Sequence, residues 1–218
     1  MEPHDIAETI FDRVIDYCER IHDQPLECIS NHNAEQLSVF IDAYLEDEDT
    51  EIEEAIQNSD EKSWKLIQEE YEKLWRERMV LGVSEKLGDI LNIVMESIIQ
   101  NDELNDNAKV RYLKDYDDIL DKFGYTIEDR LEHSRPLGKG VMRDWYKKIA
   151  KAFSIFNDDY CKQLSYILDY YDMLDDSDQL NVLSILLDYI SDILYDIHEK
   201  YIDVEYNTNS SPPNSKGE

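Results

Sequence analysis

Apolar residues along this chain recur at steps of three and four, the spacing of helices that bury one face. Ile6, Ile10, Val14, Cys18 and Ile21 follow it, so residues 4 to 22 read as one amphipathic helix that Pro25 closes. Asn33 stands at the N-cap of a second helix over Ala34 to Glu46, with Leu37, Phe40, Ile41 and Tyr44 on one face. The acidic stretch Glu46 to Thr50 interrupts it. Residues 51 to 80 continue the pattern with Trp64, Ile67, Tyr71, Leu74 and Trp75 inward, and Ser84 is placed to cap a further helix through Leu87, Leu91, Val94 and Ile98. After the polar run Asn101 to Asn107, residues 108 to 123 are helical through Val110, Leu113, Ile119 and Leu120, and Gly124 reads as the C-terminal stop. Pro136-Leu137-Gly138-Lys139-Gly140 reads as a loop. Helices are then predicted over Val141 to Phe156, Asp158 to Leu174, and Asp178 to about Val204.

The last of these carries the longest uninterrupted seam: Leu180, Leu183, Leu187, Ile190, Leu194, Ile197 and Tyr201 step as heptad a and d positions. Val182, Leu186, Tyr189 and Ile193 add a second apolar face, wider than a two-stranded coiled coil needs and suited to a central bundle helix. Surplus apolar area on this helix would serve as a seam for a partner. Its opposite side carries Asp188, Asp192, Asp196, Glu199 and Asp203.

Six glycines and five prolines are few for 218 residues, which favours helices over many short strands. The expected fold is all-α, a multi-helix bundle or helical-hairpin stack of about eight helices. One domain is expected over 1–204, with a weak sub-division near 101–107 or 135–140, and the Ser, Pro and Asn-rich segment 205–218 is expected to be disordered. At 42% hydrophobic residues, with 15 tyrosines, the chain has the material for a core, unlike acidic disordered chains.

Charge adds what the pattern does not contain. The formal net charge is -29, from 51 acids and 22 bases. Residues 1–50 hold 14 acids and 2 bases, residues 151–218 hold 14 and 4, and residues 101–150 are nearly balanced at 11 and 10. Within that middle stretch Arg130, Arg135, Lys139, Arg143, Lys147 and Lys148 form a basic island that extends to Lys151, read as an internal charge balance or as a phosphate or acidic-partner site. Such a chain repels nucleic acid and anionic membranes and is drawn to basic protein surfaces. No apolar stretch approaches the about 20 residues of a membrane span. Met1 to Ile10 carry Glu2, Asp5 and Glu8 without a positive cluster, so no secretory signal is expected. Three cysteines, an odd number, lead to an expectation of reduced thiols in a cytoplasmic protein.

Chemical motifs are sparse. The loop at Gly138-Lys139-Gly140 lacks P-loop spacing. Asp175, Asp176 and Asp178 begin an acidic run without the glycine and glutamate of an EF-hand. His133 and His198 have no arginine at the spacing of helical ribonucleases of the HEPN kind. Cys18, His22, Cys28 and His32 stand as C-x3-H-x5-C-x3-H, donors that a tetrahedral zinc could take, although Cys18 also fits an apolar stripe as a small hydrophobe. Glu69 and Glu72 lie one turn apart, and Glu85-Lys86-Leu87-Gly88-Asp89 is expected on the next helix. Together these resemble the acidic motifs of the all-α NTP pyrophosphohydrolases of the MazG kind. The resemblance implies Mg²⁺ held between helices, with Glu72 and Asp89 needed for nucleotide hydrolysis. It covers some twenty residues, and Lys86 occupies a position where that family carries a glutamate.

The reading that accounts for most of the chain is a binding protein without cofactor or catalytic residue. Its acidic helices would engage a basic, nucleic-acid-binding type of protein surface, as an inhibitor or immunity-type protein, with nucleic-acid mimicry as one form. The contact residues are expected in the cluster Asp42, Glu46, Asp47, Glu48 and Asp49 and along Asp188, Asp192, Asp196, Glu199 and Asp203. A helical adaptor that binds through an apolar face is the alternative.

Overall fold

A computed structural model describes residues 2–21, 25–44, 50–155 and 157–202. The described residues form nine α-helices and no strand, the expected all-α class: α1 (Pro3–Ile21), α2 (Pro25–Ser30), α3 (Leu37–Tyr44), α4 (Thr50–Gln57), α5 (Glu61–Ile99), α6 (Asp106–Glu132), α7 (Lys139–Ala152), α8 (Asp158–Met173) and α9 (Asp176–Ile197). A 3₁₀ turn, Ala34–Gln36, precedes α3, and a π-helical turn, His198–Ile202, follows α9. No helix is long and apolar enough to cross a membrane. The segment 205–218 lies outside the described residues.

The chain divides into two compact units, Met1–Val83 and Ser84–Glu218, with the boundary inside α5. In unit 1 the predicted stripe of α1 is the buried one: Ile6, Ile10, Val14 and Cys18 join Leu37, Phe40, Ile67, Tyr71 and Trp75 in the core. Asn33 caps as expected, its side chain accepting hydrogen bonds from the Glu35 and Gln36 amides. In unit 2 the core is built from Leu87, Leu91 and Val94 of α5, Leu113, Tyr116, Leu120 and Phe123 of α6, Tyr146 of α7, and Leu183, Leu186 and Ile190 of α9.

Buried tyrosines tie the helices together. Tyr116 and Tyr146 donate to the Leu91 and Leu87 carbonyls of α5 at 2.8 and 2.9 Å, and Tyr171 donates to Leu137 at 2.8 Å. In unit 1, Tyr71 and Trp75 donate to the His32 and Ile29 carbonyls at 2.7 and 2.8 Å. Leu91, Leu87 and Ile29 lie in helices, and a helical carbonyl has a second lone pair, so these donors are satisfied without breaking the helix; the His32 and Leu137 carbonyls lie between helices, and each bond contributes about 1 kcal/mol.

Three expected boundaries are corrected. Ser84 begins no helix: it is buried in the interior of α5, because Met79, Val80, Val83 and Leu87 keep the apolar stripe unbroken across it. Gly124 does not end α6, which continues to Glu132. Gly124 faces α9, and a Cβ there would meet Ile190 Cγ2 and Leu187 Cδ1 at 3.5 Å, an ordinary packing distance. The expected loop through Gly140 is shorter, because α7 starts at Lys139 with Gly138 as its N-cap.

Candidate functional site

Helix α9 presents three faces. Val182, Leu183, Leu186, Ile190, Ile193 and Ile197 are buried, so the core stripe is centred one position away from the a/d series expected from the sequence. Leu187 and Leu194 of that series are only half-buried. Asp188, Asp192 and Glu199 are exposed and Asp196 half-buried, which places the predicted acidic stripe on the surface.

Tyr189 is where α9 meets the acids of α5. Its ring lies against Gly88, where a Cβ would come within 2.8 Å of Tyr189 Cγ, so only glycine allows this approach. Partial burial and the carboxylates Glu85, Asp89 and Asp192 all push the Tyr189 phenol above its ordinary pKa, burial most strongly. Asp188 and Asp192 make no ion pair among the described residues, whereas Asp196 pairs with Lys200 at 2.7 Å and Asp89 with Lys86 at 3.5 Å. Six residues further along α9, the hydrogen bond of exposed Tyr195 to Glu199 likewise raises its pKa. An aromatic ring among carboxylates suits a guanidinium or ammonium group, which can use the ring face and the charges together.

Beside this face lies a groove of about 600 Å³. Leu187, Leu194 and Trp145 give it apolar walls, Tyr125 stands exposed at its edge, and Asp121 and Glu128 add acids. Trp145 stacks on Phe123 at 5.0 Å and holds the Lys148 ammonium 4.6 Å from its ring centroid. Lys139 of the basic island pairs with Asp169 of α8. At these two residues the island is engaged within its own unit.

Of the other expected contacts, the side chain of Asp42 and residues Glu46, Asp47, Glu48, Asp49 and Asp203 lie outside the described residues. The acids that resemble a pyrophosphohydrolase motif do not occupy successive helices: Glu69, Glu72, Glu85 and Asp89 all belong to α5. Glu69 pairs with Lys65 at 3.6 Å and Glu72 with Arg76 at 3.1 Å. The break expected between them is absent because Ser84 lies inside the apolar stripe.

The expectation of reduced thiols is also corrected. Cys18 and Cys28 form a disulfide, with Cα atoms 5.4 Å apart, because the core faces of α1 and α2 bring two buried sulfurs together. Cys161 is free and half-buried. Among the described residues, Cys18, Cys28 and His32 are the one group of three or more His, Cys or acidic donors close enough to share an ion. His22, the fourth member of the sequence pattern, lies outside the described residues.

The sequence reading missed Tyr189, Gly88 and Glu85 as one cluster, and Trp145 and Tyr125 as groove residues. A glycine inside an amphipathic helix was the available signal for the first, since it marks a close approach. Compared with known proteins, the chain matches no family, no curated protein and no solved structure.

Proposed function

We propose that this chain is a binding protein that offers the acidic face of unit 2 to a basic protein surface, which it blocks or organises. The observation that carries the reading is the half-buried Tyr189 ring packed against Gly88 of α5, with the carboxylates Glu85, Asp89 and Asp192 near enough to raise its phenol pKa. An aromatic anchor within a field of one sign combines the two features that govern encounter and affinity. An inhibitor or immunity-type protein for a nucleic-acid-binding partner would work in this way.

Mimicry of nucleic acid makes a further demand. Acids four residues apart on α9 rise about 6 Å per charge, whereas duplex DNA carries one charge per about 1.7 Å. A single stripe is too sparse, so a mimic would also draw on exposed acids of α5 and α6, such as Glu85, Asp118 and Asp121.

The test is affinity capture from nuclease-treated lysate with the wild-type chain and with the triple variant Glu85→Gln, Asp89→Asn, Asp192→Asn. The expected result is a basic partner that elutes at moderate salt and is lost by the variant, whose helix content is unchanged. A partner that resists high salt and is retained by the variant would overturn the reading. It would favour the adaptor alternative, which the groove walled by Leu187, Leu194 and Trp145 supports.

A further inference from the structure

A disulfide needs two cysteines and nothing more, yet a third donor is held beside this one. His32 Nδ1 lies 3.8 Å from Cys28 Sγ, and one ligand atom from each of Cys18, Cys28 and His32 fits within a 4.8 Å cluster. Both cysteines are buried and the histidine is half-buried. The edge joining a sulfur and a nitrogen ligand of tetrahedral zinc is about 3.6 Å, from bond lengths of about 2.3 and 2.05 Å. The nitrogen therefore already stands near a ligand's distance from the sulfur.

The histidine is also built in. Its ring packs edge-on against Tyr17 at 6.0 Å and Phe40 at 5.4 Å, its carbonyl accepts the Tyr71 hydroxyl, and the Ile29 carbonyl accepts the Trp75 indole N–H. Two long-range hydrogen bonds thus fix the short segment that carries Cys28 and His32. Nδ1 also contacts the Cys28 carbonyl oxygen at 2.7 Å, a contact that a metal would replace with a nitrogen–metal bond. Surrounding contacts that orient ligands in this way are what a metal centre needs beyond its donors.

We propose that Cys18, Cys28 and His32 form a redox-gated binding site for a zinc-type divalent cation. In the disulfide the sulfurs are not thiolates and the site is closed. A thiol reductant supplies two electrons and two protons, breaks the S–S bond to give two thiols, and leaves as its own disulfide. The cation then binds two thiolates and the imidazole, and the two thiol protons pass to solvent. The fourth tetrahedral position is left to solvent or a further donor. A small-molecule disulfide reverses the sequence: it accepts the two electrons by thiol–disulfide exchange, leaves as two thiols, and the cation is expelled as the Cys18–Cys28 bond re-forms. In a reducing compartment the metal form is expected to dominate, and under oxidation the crosslinked form.

The test uses the full chain, reduced and stripped of metal under inert gas, then titrated with Co²⁺ as a spectroscopic stand-in for Zn²⁺. The expected result is one Co²⁺ per chain, with thiolate-to-cobalt charge-transfer absorption and the visible bands of a tetrahedral site. Zn²⁺ should displace it, raise the melting temperature of the reduced protein, and protect two of three thiols from alkylation. The disulfide form should bind neither metal. His32→Ala keeps both cysteines and should weaken binding at least tenfold with unchanged helix content. Absence of charge-transfer absorption from the reduced wild type, or affinity unchanged in His32→Ala, would overturn the proposal. The wild-type readings need no variant to fold.

Discussion

Asp117 is a carboxylate whose surroundings set a pH dependence. Its side chain is 21% exposed, and His198 Nε2 lies 3.0 Å from its Oδ1. Burial raises the Asp117 pKa above 3.8, Asp118 and Asp121 add to the rise, and His198 opposes it. A carboxyl group with a pKa raised by folding contributes stability that is complete below its unfolded value and is lost as pH climbs through the folded one. Asp117→Asn, an uncharged near-isostere, should therefore melt higher than wild type at pH 7, with the gap closing toward pH 4. A variant that melts lower at pH 7 would mean that the His198 contact outweighs desolvation. At the same scale, the buried phenols of Tyr116 and Tyr146 are pushed up by burial, the cost of ionising a group already committed to a carbonyl.

Helix ends show how a local signal was misassigned. α6 and α7 both end with a serine in the left-handed region, Ser134 at φ 48° and Ser154 at φ 59°. Around Ser134 the Arg135 amide donates to Arg130 O at 3.0 Å and the Ser134 amide to Leu131 O at 3.1 Å. Ile155 and Ser154 repeat the pattern with Ala150 and Lys151 at 2.8 and 3.4 Å. These are Schellman closures, whose C′ position usually carries glycine. The reading from sequence therefore ended α6 at Gly124 and ran α7 past its end. Ser134→Gly removes a Cβ from a strained backbone and should stabilise by about 1 kcal/mol, since the left-handed penalty outweighs glycine's added chain entropy. For a chain of this size that is about 2–4 °C in melting temperature. An unchanged or lower value would mean that the serine makes a compensating contact.

Across the whole molecule, a net charge of -29 works against compactness. Acids at helix starts offset part of this: Asp106 of α6, Asp158 and Asp159 of α8, and Asp176 and Asp178 of α9 sit in first turns, where the helix dipole favours them. Lys151 in the last turn of α7 does the same with opposite sign. The remainder is repulsion that salt should screen. Raising NaCl from 0.01 to 1 M shortens the Debye length from about 30 to about 3 Å, so the melting temperature should rise by several degrees. A flat or falling curve would show that the charges are already compensated. The same salt series separates partner binding by charge, which weakens, from stability, which grows.

The all-α class and the burial of Ile6, Ile10, Val14, Leu113, Leu120 and Ile190 were legible in sequence. Three- and four-residue periodicity selects a helix and its buried stripe before any neighbour is known. The Asn33 cap was legible for the same reason, since a side chain bonding amides two and three residues ahead needs no tertiary partner. The acidic stripe of α9 was legible as a stripe. Tertiary structure decided what stood opposite it, bringing Tyr189 onto Gly88 across 100 intervening positions and turning two ordinary helix faces into one candidate site. It also decided that Ser84 and Gly124 lie inside helices, because apolar packing on both sides outweighs weak local stop signals. Joining Cys18 to Cys28 beside His32 likewise depended on how α1 and α2 pack, and spacing along a chain does not specify how two helices come together.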